Sequence, residues 1–470
     1  MNPEDFRRHA HAFVDWMADY MDNVQDYPVR SQIKPGEIAS KLTASAPEVG
    51  EEMALIFEDF KRDILPGMTH WQHPNFHAYF PGNSSPPSVL AEMLTASMGA
   101  QCMVWETSPA ATEMETRVMD WLRKMLALGE GFQGVIQDSA SSATLVAILM
   151  AREKVSGWAA NLGGLKECPP LTFYTSIEAH SSVLKAVKVA GLGESSLRLI
   201  GADDQFAIRA DLLEETIEHD IADGYCPAGV IATLGTTGVG ANDPVRAIGE
   251  ICKAHDIFFH VDAAWAGSAL ILPEHRDMID GIELVDSFSF NPHKWLMTNF
   301  DCAAHFVRSA DDLVRTLGIL PEYLKTVNQG QVIDYRDWSV PLGRRFRALK
   351  LWFVIRSYGV EGLQAILRDH IAWADELAGW IEADPEFEMM APKRLGLVNF
   401  RYRPQELAEA EVDQVNETLL NRINDDGRIY LTRNKVGGRF AIRFSVGQTR
   451  TTEAHIESAW AVIKEIAQGL

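Results

Sequence analysis

Two short runs in the middle of the chain, Phe258-Phe259-His260-Val261 and Ser287-Phe288-Ser289-Phe290, have the composition of buried β-strands. Helical patterns separate them from similar runs on both sides, as is typical of strand, crossover helix and parallel strand units. The spacing predicts an α/β protein built on a large, mostly parallel sheet. The other predicted strands are Gly134-Val135-Ile136, Leu171-Thr172-Phe173-Tyr174, Leu197-Arg198-Leu199-Ile200, Gly229-Val230-Ile231-Ala232-Thr233 and Ala304-His305-Phe306-Val307.

The segments that flank this sheet region have different patterns. Apolar residues near the N-terminus recur at spacings of three and four, which predicts one face of a helix, and the helical pattern continues to about residue 80. Such an arm needs another surface, such as a second subunit, to bury its stripe. After residue 346, helices and two strands indicate a smaller C-terminal α/β domain. The stripe consists of Ala10, Phe13, Val14, Met17 and Met21.

We therefore expect three parts along the 470 residues. Residues 1–82 form an N-terminal helical dimerisation arm, residues 83–346 the large domain, and residues 347–470 the small domain. A chain of this length is ample for a buried core in each of the two domains.

The composition argues against several classes of function. A formal net charge of -22 would repel a phosphate backbone, so no nucleic-acid partner is expected. The five cysteines lie far apart without a C-x-x-C pair, which predicts neither a disulfide framework nor a metal site. No signal-peptide pattern opens the chain and no uncharged apolar run reaches membrane-spanning length. We expect a cytoplasmic protein with no membrane association.

Reactive side chains follow the predicted strands at the points where those strands end. In open α/β sheets the carboxyl ends of the strands form the ligand crevice, so residues far apart in sequence would meet in one pocket. Polar loops that happen to follow strands are the alternative explanation. The residues are Ser139, Ser141, His180, Thr236, Thr237, Asp262 and Asn291 through Lys294.

The run Gln137-Asp138-Ser139-Ala140-Ser141-Ser142 links a predicted strand to a predicted helix. It offers hydroxyl groups and free backbone N–H groups at a helix N-terminus, which is a suitable seat for an anion such as a phosphate. A serine-rich helix start is also, by itself, an ordinary N-cap.

Asp262 ends an apolar strand, and Lys294 follows the next one. A buried carboxylate there needs a positive partner, and a protonated ring nitrogen would serve; capping the following turn is the alternative. A lysine at such an edge is costly as an ammonium but not when bound covalently to an aldehyde. An aldehyde, a phosphate and a ring nitrogen together predict pyridoxal phosphate as the cofactor.

At these residues the chain closely resembles the group II pyridoxal-phosphate decarboxylases, and within them the aromatic L-amino-acid decarboxylases. The resemblance spans nearly the whole length. The matching runs are Ala78-Tyr79-Phe80-Pro81, Ser108-Pro109-Ala110, Ala179-His180-Ser181-Ser182, Leu234-Gly235-Thr236-Thr237, His260-Val261-Asp262-Ala263-Ala264, Asn291-Pro292-His293-Lys294-Trp295 and Pro341-Leu342-Gly343-Arg344-Arg345-Phe346-Arg347.

The resemblance implies pyridoxal-phosphate fold type I, the aspartate aminotransferase-like fold, in a homodimer with active sites at the interface. It implies that Lys294 binds the cofactor covalently, that Asp262 faces the pyridine nitrogen and that His180 stacks on the ring. A histidine before Ser-Ser is otherwise often a turn residue. The remaining cofactor positions are Ser139, Ala140, Ser141, Asn291 and His293 on the phosphate side and Thr237 near the ring hydroxyl.

Tyr323 matches the mobile-loop tyrosine to which the family assigns the final proton donation, although it could be an ordinary loop residue. Relatives that make aldehydes by decarboxylation and oxidative deamination tend to lack this tyrosine or the stacking histidine. Because both residues are present, an amine product is expected. Aldehyde synthesis, decarboxylation of another amino acid and a noncatalytic scaffold are the alternatives.

Gly343 matches a position where histidine-preferring relatives carry serine, which favours a pocket for an aromatic L-amino acid. By itself this glycine could only ease a turn. Tyr79, Phe80 and Met103 are the predicted pocket walls, in part facing a neighbouring subunit. Departures at Gly82-Asn83, Met103 and Trp265 leave dopa, 5-hydroxytryptophan, tryptophan, tyrosine and phenylalanine open as substrates.

Overall fold

The computed structural model describes residues 1–319 and 332–470. Within these ranges lie eleven β-strands and fifteen α-helices. The strands are β1 Gln133–Gln137, β2 Leu171–Ser176, β3 Leu197–Ile200, β4 Cys226–Thr233, β5 Phe258–Asp262, β6 Ser287–Phe290, β7 Ala303–Val307, β8 Phe387–Met389, β9 Leu397–Tyr402, β10 Thr432–Val436 and β11 Arg439–Ser445.

The helices occupy most of the connections between these strands. They are α1 Pro3–Asn23, α2 Glu37–Lys41, α3 Met53–Asp59, α4 Pro86–Met98, α5 Pro109–Met125, α6 Ala140–Val155, α7 Ala159–Gly163, α8 Ser182–Val189, α9 Ala210–Ala222, α10 Val245–Ala254, α11 Pro292–Trp295, α12 Ala310–Leu317, α13 Arg347–Ala383, α14 Glu409–Asp426 and α15 Glu453–Ala467.

The seven predicted strands form one sheet in the order β1-β7-β6-β5-β4-β2-β3. The pairs β2 with β3, β2 with β4, β4 with β5 and β5 with β6 are parallel, whereas β7 runs antiparallel to both β1 and β6. β1 therefore runs in the same direction as β6. The predicted α/β class with a large, mostly parallel sheet is confirmed.

The central strands are buried on both faces, which explains why they are nearly continuous apolar runs in the sequence. On one face Phe258 of β5 and Val307 of β7 pack in the same apolar cluster as Val146 and Ala147 of α6. Alternate residues of a strand share a face, so His260 and Asp262 also lie on the face that α6 covers.

The second sheet has the order β10-β11-β9-β8, and its pairs β10 with β11 and β8 with β9 are antiparallel. Its core includes Phe387, Phe400 and Trp460, with the rings of Phe387 and Trp460 4.8 Å apart. α13 is broken at Gly359, whose φ of +66° is in the left-handed region that favours glycine.

By compactness the chain divides into two units. One comprises Met1–Pro81, Trp373–Met390 and Val398–Leu470, and the other comprises Gly82–Ala372 and Ala391–Leu397. The N-terminal residues are thus grouped with the small sheet. The division into arm, large domain and small domain stays a prediction. Its first part, the dimerisation arm, is defined by contacts with a second copy of the chain.

The N-terminal segment is helical only in part. Non-helical stretches separate α1, α2 and α3, helical turns continue from Phe60 to Gly67, and residues 68–80 contain no helix. Of the predicted stripe on α1, Phe13 packs on Phe57 of α3 with ring centroids 4.3 Å apart, while Val14 remains 40% exposed. Among the described residues, no helix combines the length and apolar character needed to cross a membrane.

Candidate active site

The reactive residues are placed by the sheet, as the sequence predicts. β1, β2, β4, β5 and β6 all run in one direction, so their carboxyl ends lie along the same edge of the sheet. Ser139, His180, Thr237, Asp262 and Lys294 lie at or just beyond these ends. Five loops from distant parts of the sequence therefore contribute to one edge.

Asp262 is the last residue of β5 and is only 4% exposed. Its Oδ1 accepts a hydrogen bond of 3.0 Å from the backbone N–H of Ala264. Burial raises the pKa of the Asp262 carboxyl, while the charge of Lys294, the Ala264 N–H and His180 oppose that rise. The net rise indicates a buried carboxylate that lacks enough positive charge nearby, which is the environment that a protonated ring nitrogen completes.

Lys294 lies on the short helix α11, and its backbone is held from two directions. Its N–H donates to the carbonyl of Asn291 at 2.9 Å, and its own carbonyl accepts from Nδ2 of Asn83. The backbone N–H of Asn83 in turn donates to the carbonyl of His293 at 2.9 Å. These bonds involve main-chain atoms of Lys294 and fix the position from which its side chain starts.

His293 and Trp295 anchor the two flanks of Lys294. Nδ1 of His293 accepts the backbone N–H of Cys302 at 2.9 Å, and burial lowers the pKa of His293 to about 3. This ring is therefore neutral with its proton on Nε2. Nε1 of Trp295 donates to Nδ1 of His370 at 2.9 Å inside the core.

His180 follows β2 and its ring is exposed in the absence of a ligand. Its Nδ1 accepts the backbone N–H of Ser182 at 3.1 Å and lies 2.8 Å from the Ser182 hydroxyl. The proton of the neutral ring is therefore on Nε2. Desolvation by neighbouring protein groups lowers the pKa of His180. The charge of Lys294 lowers this pKa further, whereas the charge of Asp262 opposes the shift. A neutral, flat ring fixed at one edge is suited to stacking on an aromatic ligand.

The anion seat is the N-terminus of the 16-residue helix α6. Ser139 is the N-cap, and its Oγ accepts the backbone N–H of Ser142 at 3.2 Å. The N–H groups of Ala140 and Ser141 begin the helix, where the dipole favours a negative charge. Oδ1 of Asn291 is buried and has no hydrogen-bond partner among the described residues; as an acceptor, it is suited to a donor group and not to the anion itself.

The other predicted contact residues fall in different places. Thr237 is exposed, whereas Oγ1 of its neighbour Thr236 accepts the backbone N–H of Ala241 at 2.9 Å and serves the turn itself. Met103 is half-buried and its carbonyl accepts the backbone N–H of Arg336 at 2.9 Å. Gly343 is exposed, and a Cβ atom there would meet only Nε2 of Gln101, at 3.3 Å.

Tyr79 and Phe80 belong to the unit that contains the small sheet. Tyr79 is half-exposed and has a φ of +52°, and its carbonyl accepts from Arg443 and from the Ser445 hydroxyl. Phe80 is buried, with 8% exposed. The predicted proton donor Tyr323 lies outside the described residues.

The sequence did not predict the roles of Asn83 and Cys302. Asn83 attracted attention only as a departure in the pocket region, yet it holds the backbone on both sides of the bond between His293 and Lys294. Cys302 fixes the tautomer of His293 through its own backbone. No local sequence pattern predicts either contact, since many residue types can make hydrogen bonds to main-chain atoms.

The residues at this edge fit pyridoxal phosphate. The cofactor needs an amine for its aldehyde, a negative partner for its ring nitrogen and a nest of donors for its phosphate. Lys294, the undercompensated carboxylate of Asp262 and the α6 N-terminus supply these three.

Comparison with known proteins agrees with this geometry. The chain matches the model of the pyridoxal-dependent decarboxylase conserved domain over residues 35–403. It is 44% identical to an aromatic-L-amino-acid decarboxylase of Sus scrofa, with 100% of this chain and 98% of the relative covered. It is 42% identical to a phenylacetaldehyde synthase of Arabidopsis thaliana, with 100% and 97% covered.

A solved structure supports both fold and cofactor. Oryza sativa TDC, determined with pyridoxal phosphate and tryptamine, superposes with a TM-score of 0.96 at 37% identity and covers 100% of this chain and 99% of its own. The predicted fold type and cofactor are confirmed. This chain, with its lysine, carboxylate and helix N-terminus at one sheet edge, belongs to the family of pyridoxal-dependent decarboxylases.

Proposed function

We propose that this chain decarboxylates aromatic L-amino acids to arylalkylamines and carbon dioxide. The observation that carries the proposal is the grouping of Lys294, Asp262 and His180 at one sheet edge, close enough for their charges to act on one another. Relatives named as aromatic-L-amino-acid, tyrosine and tryptophan decarboxylases support the substrate class. When bound, pyridoxal phosphate supplies the aldehyde that takes up the amino group and a ring that accepts the electrons of the broken carboxylate bond.

Asp262 keeps a negative charge at the bottom of the site. Its carboxylate would pair with a protonated ring nitrogen, and the Ala264 N–H holds that carboxylate in orientation. In a buried environment this pairing is strong and stabilises the negative charge that develops as carbon dioxide leaves.

Lys294 would hold the cofactor through its side-chain amine until the amino group of the substrate takes its place. The bonds from Asn83 and Asn291 keep the backbone in place while the side chain moves. Ser139, Ala140, Ser141, Asn291 and the Nε2–H of His293 are assigned to the phosphate end, and Thr237 to the ring hydroxyl. Several weak donors acting together orient an anion better than a single helix dipole, which contributes only about 0.3–2 kcal/mol.

His180 is assigned to the face of the cofactor ring. Its hydrogen bonds to Ser182 orient the imidazole, which would stack on the cofactor ring and help to orient the substrate carboxylate. Keeping the imidazole neutral avoids an additional positive charge over the ring. We assign Tyr79, Phe80, Met103 and Gly343 to contacts with the aromatic side chain of the substrate, in part from a neighbouring subunit.

The product depends on where a proton is delivered after carbon dioxide leaves. Delivery to the substrate's alpha carbon gives the amine, whereas oxidation by molecular oxygen followed by hydrolysis gives an aldehyde, ammonia and hydrogen peroxide. The similarity to a phenylacetaldehyde synthase makes aldehyde formation the second candidate. Tyr323 is assigned the proton-donating role by the family resemblance, and its presence together with His180 favours the amine.

Replacing Tyr323 by phenylalanine is expected to shift the product from amine toward aldehyde, because the ring stays but the acidic hydroxyl is lost. Amine formation should fall by about 10²-fold or more, in the range of general acid catalysis. Amine, aldehyde and hydrogen peroxide are measured from one panel of aromatic amino acids. Tyr225→Phe, at an exposed position, is the control and should leave the ratio unchanged. An unchanged amine yield in Tyr323→Phe would remove Tyr323 from this role.

We also propose that the active enzyme is a homodimer in the cytoplasm. The partly exposed stripe on α1, including Val14, supports an arm that is completed by a second copy. Sedimentation velocity should give the mass of two chains, and a monomer at working concentration would contradict the assignment. All five cysteines are free, which suits a reducing compartment.

A further inference from the structure

A buried polar layer lies beneath Asp262 on the face of the sheet that α6 covers. Asp262 of β5 is paired in register with Ser289 of β6, and Ser289 with His305 of β7. One step toward the amino end of β5, His260 is paired with Ser287. All five side chains are buried, although apolar residues are usual in such a layer.

Three of these side chains form a continuous hydrogen-bonded chain. Nδ1 of His260 lies 2.9 Å from Oγ of Ser287, and the same Oγ lies 2.8 Å from Nε2 of His305. Burial lowers the pKa of both histidines to about 3, so both rings are neutral. A serine hydroxyl has one proton, so Ser287 donates to one ring and accepts from the other.

Three atoms of this layer have no hydrogen-bond partner among the described residues: Nε2 of His260, Nδ1 of His305 and Oγ of Ser289. The last two belong to residues paired across neighbouring strands. Neighbouring strands are about 4.8 Å apart, so rotation of the Ser289 side chain brings its hydroxyl within reach of either neighbour. Burying these groups unpaired is costly. The Asp262 carboxylate is a possible partner for the Ser289 hydroxyl, and that hydroxyl is a possible partner for Nδ1 of His305.

We propose that Ser289 and His305 are positioning residues for Asp262. The Ser289 hydroxyl donates to the Asp262 carboxylate and accepts the Nδ1 proton of His305. Ser287 then donates to Nε2 of His305 and accepts the Nδ1 proton of His260. Each hydrogen bond in this chain contains one proton, and both rings stay neutral. The chain of donors ends on the carboxylate and stabilises its ionised form.

This inference rests on the proposed function, because it concerns the partner of the cofactor's ring nitrogen. The charged or titratable side chains that act on Asp262 from the site are Lys294 and His180, and those in the layer beneath are His260 and His305. Since the buried histidines have no charge, their effect on Asp262 is through hydrogen bonding. Loss of the Ser289 hydroxyl should make the carboxylate easier to protonate and loosen the cofactor at acid pH.

The test is the acid-induced release of pyridoxal phosphate from the holoenzyme. The visible absorbance of the bound cofactor is recorded as the pH is lowered. Ser289→Ala should raise the pH of half-release by about one unit, a tenfold change in the protonation equilibrium, as expected for loss of one hydrogen bond to a charged group. His305→Phe, which keeps a ring of similar size, should raise it by a smaller amount. Ser289→Thr retains the hydroxyl and should behave as the wild type.

Ser268→Ala is the matched control, because Ser268 is also buried and its hydroxyl has no partner among the described residues. It should release the cofactor at the wild-type pH. If Ser289→Ala or His305→Phe does the same, the inference is wrong. Failure of the wild type to bind pyridoxal phosphate on Lys294 would instead overturn the proposed function. If Asp262→Asn loosens the cofactor but Ser289→Ala does not, only the positioning role is lost.

Discussion

Replacing Lys294 by alanine is expected to lower kcat/KM by at least about a thousandfold, or roughly 4 kcal/mol of transition-state stabilisation. Without the amine, the cofactor has no covalent attachment and no group that releases it to the substrate. The fold should survive, because the bonds from Asn83 and to Asn291 use only the backbone of residue 294. The change should therefore affect activity far more than melting temperature.

Steady-state kinetics and thermal melting of the same preparation measure both effects. Lys188→Ala removes an exposed lysine that pairs with Glu194 on the surface and should leave kcat/KM unchanged. In the wild type, borohydride reduction followed by peptide mapping should find the cofactor on the peptide that contains Lys294. A label on another lysine, or a Lys294→Ala enzyme with full activity, would contradict the mechanism.

The second large effect is expected for Asp262→Asn. The amide has the same shape and still accepts the Ala264 N–H, but it cannot balance a protonated ring nitrogen. Breaking a buried charge pair costs about 3–5 kcal/mol, which corresponds to a loss of roughly 10²–10⁴ in kcat. Affinity for pyridoxal phosphate, measured by titration of the cofactor-free enzyme, should fall as well.

The same substitution should have the opposite effect on the cofactor-free protein. Burial raises the pKa of Asp262 above the ordinary value of 3.8, so the folded state holds this proton more tightly than the unfolded state does. The ionised Asp262 carboxylate therefore destabilises the folded protein at pH values above its pKa in the folded state. This destabilisation is absent below about pH 4. Asp262→Asn should therefore raise the free energy of unfolding near neutral pH, and the gain should disappear on acidification.

Asp286→Asn provides a matched control for these two measurements. Asp286 is also a largely buried carboxylate with a raised pKa, and it accepts the backbone N–H of Phe259. It lies just before β6, at the opposite edge of the same sheet. Its substitution should change stability while leaving kcat and cofactor affinity unchanged. Equal losses of activity in both variants would mean that Asp262 acts only through the fold.

The strands of the large sheet could be predicted because strands buried on both faces need apolar side chains throughout. Such runs are visible in the sequence without knowledge of their partners. The direction of a parallel sheet then places all its carboxyl ends at one edge, so Asp262 and Lys294 could be assigned to one site from their positions alone. The N-terminal segment was less predictable, since helical structure was expected to about residue 80 and ends at Gly67.

By itself the sequence determined the α/β class, the order of reactive residues along the chain and the chemistry implied by a lysine, a carboxylate and a helix N-terminus. Only the tertiary structure decided what holds these groups. Asn83 reaches the Lys294 carbonyl across 211 positions, and Ser289 lies between Asp262 and His305 through strand register. The physical reason is that burial patterns depend on each residue's own polarity, whereas hydrogen bonds between distant segments depend on which atoms packing brings within about 3 Å.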